Sequence, residues 1–353
     1  MSYQVTVEPT GDVVEVEEGQ TLLDAALRQG VWLPFACGHG TCGTCKVQVL
    51  EGDVDIGAAS PFALMDMERE EGVVLACCAI PESDLVIEAD IDVDPDFAGY
   101  QIEDYQAKVV AIEDLSPSIK GIRLELDRPM QFQAGQYVNL NLPGIEGSRA
   151  FSIANSPTNA GYLDLHVRLV PEGKGTSWIH QSMQEGDELK VSGPYGQFFV
   201  RKTDDKDVIF IAGGSGLSSP LSMITELLEA GDTRQIYLFQ GARNLAELYK
   251  KAELEALAEQ YSNFYYIPAL NEPLETDDWK GFKGFVHEAA KSHFDGRLAG
   301  HKAYLCGPPP MINAAITVLM QGRIFEADIH MEKFLTAADG ATADSRSALF
   351  KRI

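Results

Sequence analysis

The sequence predicts a multidomain protein: a small α+β domain, then an antiparallel β-barrel, then an α/β domain with a parallel sheet. Three observations carry that expectation. Residues 1–93 mix strand-like runs with one helical pattern, residues from Gln106 to Arg201 alternate with a period of two, and from Asp207 onward short apolar runs alternate with helical stretches. At 353 residues, the chain is long enough to bury two or three separate cores.

In the first domain, Tyr3 to Val7 and Val13 to Val16 are expected to form a hairpin. Thr21 to Gln29 has a helical pattern, with Leu22, Leu23, Ala26 and Leu27 on adjoining faces and Gly30 placed to end it. The acidic text from Glu88 to Asp104 is expected to hold a linker. In the barrel, Ile122 to Asp127 and Leu163 to Leu169 alternate without a break, and Gly/Pro clusters separate such runs. In the last domain, Val208 to Ala212 and Ile236 to Gln240 are expected strands, while Leu221 to Leu228 and Ala246 to Gln260 are expected helices.

Composition narrows the function. The formal charge is −25, which argues against nucleic acid or anionic lipid as a partner, since both select basic patches. The charge is lopsided: residues 1–100 hold 20 Asp and Glu against 3 Lys and Arg. That acidity fits either a solvated face or a docking surface. No run of about 18 apolar residues occurs, and MSYQVTVEP lacks the basic and apolar regions of a signal peptide. A cytoplasmic protein that does not span a membrane is therefore expected.

Six cysteines (Cys37, Cys42, Cys45, Cys77, Cys78 and Cys306) in such a chain point to metal or redox chemistry more than to disulfides. The run Cys37-Gly38-His39-Gly40-Thr41-Cys42-Gly43-Thr44-Cys45, followed by Cys77, has the spacing C-x4-C-x2-C-x31-C. Three thiolates in one tight loop grip two irons only if the backbone curls round the inorganic sulfides. Glycines in that loop permit the curl and bring N–H groups to sulfur. Zinc is the rival, but it favours paired C-x2-C knuckles without the x4 spacing. The region resembles the plant-type ferredoxins, β-grasp proteins with a [2Fe-2S] cluster, over nearly all of residues 1–93. The resemblance implies Cys37, Cys42, Cys45 and Cys77 as cluster ligands, because Leu75-Ala76-Cys77 stands four residues before Pro81. Cys78 is then a structural thiol.

Arg149-Ala150-Phe151-Ser152 follows a Gly- and Pro-rich loop and resembles the R-x-Y-S motif of the ferredoxin-NADP reductase superfamily, with Phe for Tyr. By that resemblance Arg149 pairs with a phosphate of FAD, Phe151 packs near the flavin and Ser152 hydrogen-bonds near its N5. Ala150, His166 and Val167 line the same cofactor site. Gly173-Lys174-Gly175-Thr176-Ser177 opens a helical stretch, Trp178 to Met183. Free N–H groups at a helix start suit a pyrophosphate, here from Gly175, Thr176 and Ser177.

Strand Val208 to Ala212 runs into Gly213-Gly214-Ser215-Gly216, a turn that lets a dinucleotide approach the backbone. Ser219 and Pro220 then stand as N-cap and first residue of a helix. Tyr304 to Met311 resembles the superfamily's C-G-P-P-x-M element, which places the Cys306 thiol beside the nicotinamide with Gly307 and Pro308 in contact. Glu332-Lys333-Phe334 resembles its E-x-F element, whose aromatic ring covers the flavin. Ser152, Cys306, Glu332 and Phe334 form the catalytic set that this implies.

Together these stretches resemble the reductase components of multicomponent phenol hydroxylases. The implied domains are a [2Fe-2S] domain (1–93), an acidic linker (94–105), an FAD-binding barrel (106–204) and an NADH-binding domain with a C-terminal tail (205–353). The implied partner is a di-iron oxygenase (hydroxylase) component. Nicotinamide gives two electrons as hydride and a [2Fe-2S] cluster takes one at a time; flavin does both. After the second strand, Gln240-Gly241-Ala242-Arg243-Asn244 offers only Arg243 to a cofactor, so NADH is expected over NADPH. Two alternatives stay open: a Rieske-type oxygenase as partner, or a redox sensor whose cofactors only report NADH.

Overall fold

In the computed structural model of the protein, residues 1–36, 38, 40–91 and 94–334 are described. Two compact units divide them at Glu103. The first is a β-grasp domain around the five-stranded sheet β2-β1-β7-β3-β5, with β1 Ser2–Glu8, β2 Asp12–Glu17, β3 Lys46–Glu51, β5 Val73–Leu75 and β7 Leu85–Glu88. A two-stranded ladder joins β4 Val54–Asp55 to β6 Ile80–Pro81. The expected hairpin is present, with Val5 opposite Val14 and both buried. Helix α1 (Leu22–Arg28) starts where Thr21 accepts from the Asp24 amide at 3.3 Å and ends before Gly30, whose φ of +76° suits glycine. Its first amides, Leu22 and Leu23, donate to the carbonyls of Ala79 and Ala76 (3.0 and 2.9 Å). The helix start thus anchors the segment that carries Cys77.

The second unit opens on a barrel of β8 Glu103–Ser116, β9 Ile119–Leu126, β10 Tyr137–Asn141, β11 Ser148–Ser152, β12 Tyr162–Arg168 and β13 Glu188–Tyr195. The pairs β8–β9, β9–β12, β10–β11 and β10–β13 are antiparallel, and a bridge from Ile153 to Leu165 joins the two ends of the sheet. Strand β8 begins at Glu103, inside the acidic stretch, because Ile102 and Tyr105 already face a core. Helix α3 (Lys174–Gln181) starts earlier than the sequence suggested. Gly173 is its extended N-cap, and Thr176 Oγ1 closes the turn by accepting from Val170 N and donating to Gly173 O.

The six-stranded sheet that follows has the order β17-β16-β15-β14-β18-β19, and every neighbouring pair is parallel. It is made of β14 Asp207–Gly213, β15 Ile236–Ala242, β16 Phe264–Leu270, β17 Phe282–Lys283, β18 His301–Gly307 and β19 Ile329–Lys333. Helices α4 Ser218–Glu229, α5 Lys251–Gln260, α6 Val286–His293 and α7 Pro309–Gln321 complete it. Ile119, Ala134, Phe198 and Val200 of the barrel share one buried cluster with Val208, Phe210 and Tyr304, so barrel and parallel sheet form a single body.

Two expectations need correction here. Ser219 is not an N-cap: a 3-10 turn over Gly214–Leu217 feeds straight into α4, which puts Ser219 one residue inside the helix and frees its hydroxyl for another partner. The helix expected over Ala246 to Gln260 is interrupted. A short 3-10 turn ends at Glu247, Lys250 takes φ +60°, and α5 starts at Lys251. The break turns Tyr249 into the core, where its carbonyl accepts from Gln240 Nε2 and its hydroxyl meets His166 Nδ1 and the Gly214 carbonyl. Buried tertiary hydrogen bonds outweigh helix propensity there.

Candidate functional site

The cluster loop lies in the first unit. Cys37 falls outside the described residues. Of the other expected ligands, Cys45 is buried while Cys42 and Cys77 are half-buried. Hydrogen bonds to Cys45 and Cys78, and then burial, push the Cys77 thiol far above its usual pKa. Cys77 therefore stands within reach of both Cys45 and Cys78. The Gly40 amide donates to Cys77 Sγ at 3.2 Å, the N–H-to-sulfur contact expected of such a loop. Gly40 has φ +77°, and a Cβ there would meet Cys78 Sγ at 2.6 Å, so no other residue fits. Among the described residues no group of three or more His, Cys, Asp or Glu is by itself arranged to hold a metal ion. The soft all-thiol donors with amide support still suit iron and sulfide, with Cys37 needed to complete the set.

The second centre sits where the parallel sheet changes direction, between β14 and β18. In such sheets the crevice beyond the strand ends binds ligands. Register aligns Ala212, Cys306 and Glu332 across three neighbouring strands. Glu332 Oε2 accepts from Ser152 Oγ at 3.1 Å, from Ser219 Oγ at 3.1 Å and from Cys306 Sγ at 3.8 Å. The structure thus brings together Ser152 from the barrel, Cys306 from β18 and Glu332 from β19. Ser219 was missed as a site residue because in sequence it matched a helix cap. Phe334 follows β19, its amide donates to the Gly307 carbonyl, and its ring packs on the core of the parallel-sheet half.

Electrostatics define the chemical state of this group. Burial lifts the Glu332 carboxyl to about 7, against the pull of its three donors. Burial, and then the Glu332 charge, raise the Cys306 thiol well above its ordinary value. Cys306 is therefore a neutral thiol at physiological pH, suited to packing and hydrogen bonding rather than nucleophilic attack. One consequence is testable without any cofactor. With a folded pKa near 7 against an ordinary 4.5, Glu332 binds a proton in the folded chain that the unfolded chain has released. The contribution of Glu332 to stability therefore falls as pH rises through that window, at up to about 1.4 kcal/mol per pH unit. In thermal melts of flavin-free protein at a series of pH values, the parent should lose stability relative to Glu332→Gln as pH rises through that window. Parallel slopes for the two proteins would disprove the shift.

Two corners suit phosphate groups. Arg149 on β11 lies over the start of α3: a Cβ added to Gly175 would meet Arg149 Cγ at 3.0 Å, so glycine is what lets the guanidinium side chain cross the helix start. Lys174, Gly175 and Thr176 offer the first amides there, and Ser177 N is already bonded to the Gly173 carbonyl. In the other corner, the turn Gly213 to Gly216 presses on β18. A Cβ on Gly216 would stand 2.4 Å from the Cys306 carbonyl oxygen, and one on Gly214 would meet Arg168 Nη1 at 3.3 Å. Arg168 stands beside this turn, whereas the sequence marks it only as a polar position of an alternating strand. Pro308 caps α7 next to it.

The remaining expected residues disperse around these corners. Ala150 is exposed on β11 and Phe151 leans on the barrel core. Val167 is buried, and its carbonyl is bonded to the His180 ring. His166 is held in the interior by Tyr249, and burial lowers its pKa to about 3, so it stays neutral. Arg243 is exposed just beyond β15. Ser215 is buried in the 3-10 turn, its carbonyl bonded by Ser218.

Comparison with known proteins bears on all three regions. Residues 5–82 match the family of 2Fe-2S iron-sulfur cluster binding domains, residues 106–200 the oxidoreductase FAD-binding domains, and residues 210–317 the oxidoreductase NAD-binding domains. The chain is 69% identical over 353 residues to the reductase component of phenol 2-monooxygenase from Pseudomonas sp. (strain CF600), with all of both chains covered. It is 67% identical, again over the whole of both chains, to the phenol hydroxylase P5 protein of Acinetobacter pittii (strain PHEA-2). Among solved structures it is similar to a cytochrome P450 reductase from Amycolatopsis, at 35% identity and a TM-score of 0.87 over 94% of this chain and 98% of that one.

Proposed function

The chain belongs to the family of phenol hydroxylase reductase components, and from that premise we propose that it oxidises NADH and delivers the electrons singly, through its [2Fe-2S] cluster, to a di-iron phenol-hydroxylating oxygenase component. One observation carries the reading most directly. Ser152, Ser219 and Cys306 converge on the Glu332 carboxylate at the crevice of a body whose two halves match FAD- and NAD-binding domains.

Flavin, when bound, supplies the conversion between two-electron and one-electron transfer. This chain's residues do the rest. Arg149 and the first amides of α3 hold the phosphates of FAD, and the turn from Gly213 to Gly216 with Pro308 receives the dinucleotide of NADH. The neutral Cys306 thiol packs where the nicotinamide enters, Ser152 directs its hydroxyl toward the flavin edge, and Phe334 covers the ring. Cys37, Cys42, Cys45 and Cys77 hold the cluster. The domain divisions near 93, 105 and 204 follow from these assignments. No helix among the described residues is long and apolar enough to cross a membrane, and we place the protein in the cytoplasm.

An anaerobic NADH titration followed in the visible spectrum, with and without the oxygenase component, tests the whole route. Flavin and cluster should bleach together, and the oxygenase with phenol should restore their absorbance under air. A sensor would bleach and show no such turnover.

NADH should be preferred over NADPH by roughly a hundredfold or more in kcat/KM, since 1.4 kcal/mol per tenfold accrues quickly when a 2′-phosphate lacks a cationic partner. Lys250 and Lys251, the bases nearest to Arg243 in sequence, are paired with Glu253 and Glu255 at 2.7 and 2.5 Å. Glu247, which follows Arg243, is held by Ser116 and Ser118 of the barrel. Comparable kcat/KM for the two nucleotides would overturn this assignment.

A further inference from the structure

Exposed apolar side chains in the first unit concentrate in one place. Phe62, Met65 and Met67 are 74%, 53% and 63% exposed within six consecutive residues, whereas Val13, Leu50 and Tyr100 stand singly in sequence. The short helix α2 (Asp66–Glu70), which carries Met67 and follows Phe62 and Met65, buries none of its residues. Glu68 and Arg69 pin the segment. Glu68 accepts from Lys46 Nζ at 2.5 Å and from the Met65 amide at 2.9 Å, while Arg69 donates to the carbonyls of Leu64 and Ala59 at 3.2 and 3.0 Å. The segment is therefore a fixed platform and not a loose loop.

The platform adjoins the cluster loop. Ser60 N donates to the Gly40 carbonyl at 2.9 Å, and a Cβ on Gly40 would touch Ala58 O and Ala59 Cα at 3.2 and 3.4 Å. Asp66, Glu70 and Glu71 stand exposed around the apolar side chains, on a domain with 20 acidic and 3 basic residues in its first hundred. Glu68 is excluded from that rim by its bonds to Lys46 and Met65.

We propose that Phe62, Met65 and Met67 are the contact core through which the cluster domain docks on the oxygenase component, into an apolar pocket rimmed by Lys and Arg that face Asp66, Glu70 and Glu71. The inference rests on the functional reading above. Charge complementarity selects a basic-rimmed partner and speeds encounter, and apolar burial holds the complex while an electron crosses. Methionine, unbranched and polarizable, suits a contact that must form and release repeatedly.

Full-length holoprotein variants test it against the oxygenase: Phe62→Ser/Met65→Ser/Met67→Ser, and Asp66→Lys/Glu70→Lys/Glu71→Lys. The reduced-cluster EPR signal and the rate of NADH-driven cluster reduction without oxygenase should match the parent in both. The apolar variant should bind the oxygenase about tenfold or more weakly, as loss of a hot-spot cluster does, yet reduce cytochrome c normally. The charge variant should associate slowly at low salt, with a flat response above about 0.1 M, where screening reaches about 10 Å. Phe62→Ser and Met67→Gln, made singly, repeat the measurement should the triple variant misfold. Unchanged oxygenase affinity in these variants would leave the patch idle and overturn the proposal. So would slower cluster reduction without oxygenase, which assigns the patch to the chain's own flavin half, or a change in sedimentation, which assigns it to a second copy. Failure of the parent itself to support phenol hydroxylation would instead overturn the functional reading.

Discussion

Cys42→Ser should abolish the [2Fe-2S] cluster and, with it, all hydroxylation by the oxygenase, while NADH oxidation by ferricyanide continues. The size of the effect follows from the loop. Cys42 lies two residues from Thr44, whose hydroxyl is 3.3 Å from its sulfur, and three from Cys45, which is buried. A serine oxygen there is harder and shorter than thiolate, so it matches neither the softness nor the reach that iron and sulfide require. The flavin and nicotinamide regions belong to the other compact unit, and ferricyanide draws electrons from reduced flavin directly. Iron and labile sulfide should fall to background while flavin content stays at the parent level. A reduced-cluster EPR signal in the purified variant would remove Cys42 from the ligand set.

Cys306→Ala should slow flavin reduction by about a hundredfold while changing NADH affinity little, because a misplacement near 1 Å is enough to cost that much in transfer. The thiol is fully buried at the end of β18, in register with Ala212 on one side and Glu332 on the other. Removing it opens a gap at the site proposed for the nicotinamide and takes one donor from the Glu332 carboxylate, leaving Ser152 and Ser219. Since Cys306 is held neutral, the loss is one of packing and positioning and not of a nucleophile. Stopped-flow reduction at the parent rate would show Cys306 to be a core residue only.

The sequence by itself determined the division into chemical regions, because each depends on local spacing. C-x4-C-x2-C is a property of one loop, Gly213 to Gly216 is one turn, and the change of apolar period near Gln106 and again near Asp207 marks the switch from grasp to barrel to parallel sheet. The hairpin and α1 were legible for the same reason, down to Thr21 and Gly30 at the helix ends.

Tertiary structure decided what joins residues far apart in the chain. Ser152 and Glu332, separated by 180 positions, share a hydrogen bond only because barrel and parallel sheet bury a common core. The same body draws Ser219 away from a capping role, and it breaks the helix at Tyr249 to satisfy His166 and Gly214, where local propensity alone favoured one continuous helix. Likewise the sequence does not distinguish the four carboxylates between Asp66 and Glu71 from one another. Folding separated Glu68, whose carboxylate is used up by Lys46 and the Met65 amide, from Asp66, Glu70 and Glu71, whose charges remain in water. Charge can be counted from a sequence, but whether a carboxylate keeps that charge free depends on the donors that folding brings within about 3 Å of it.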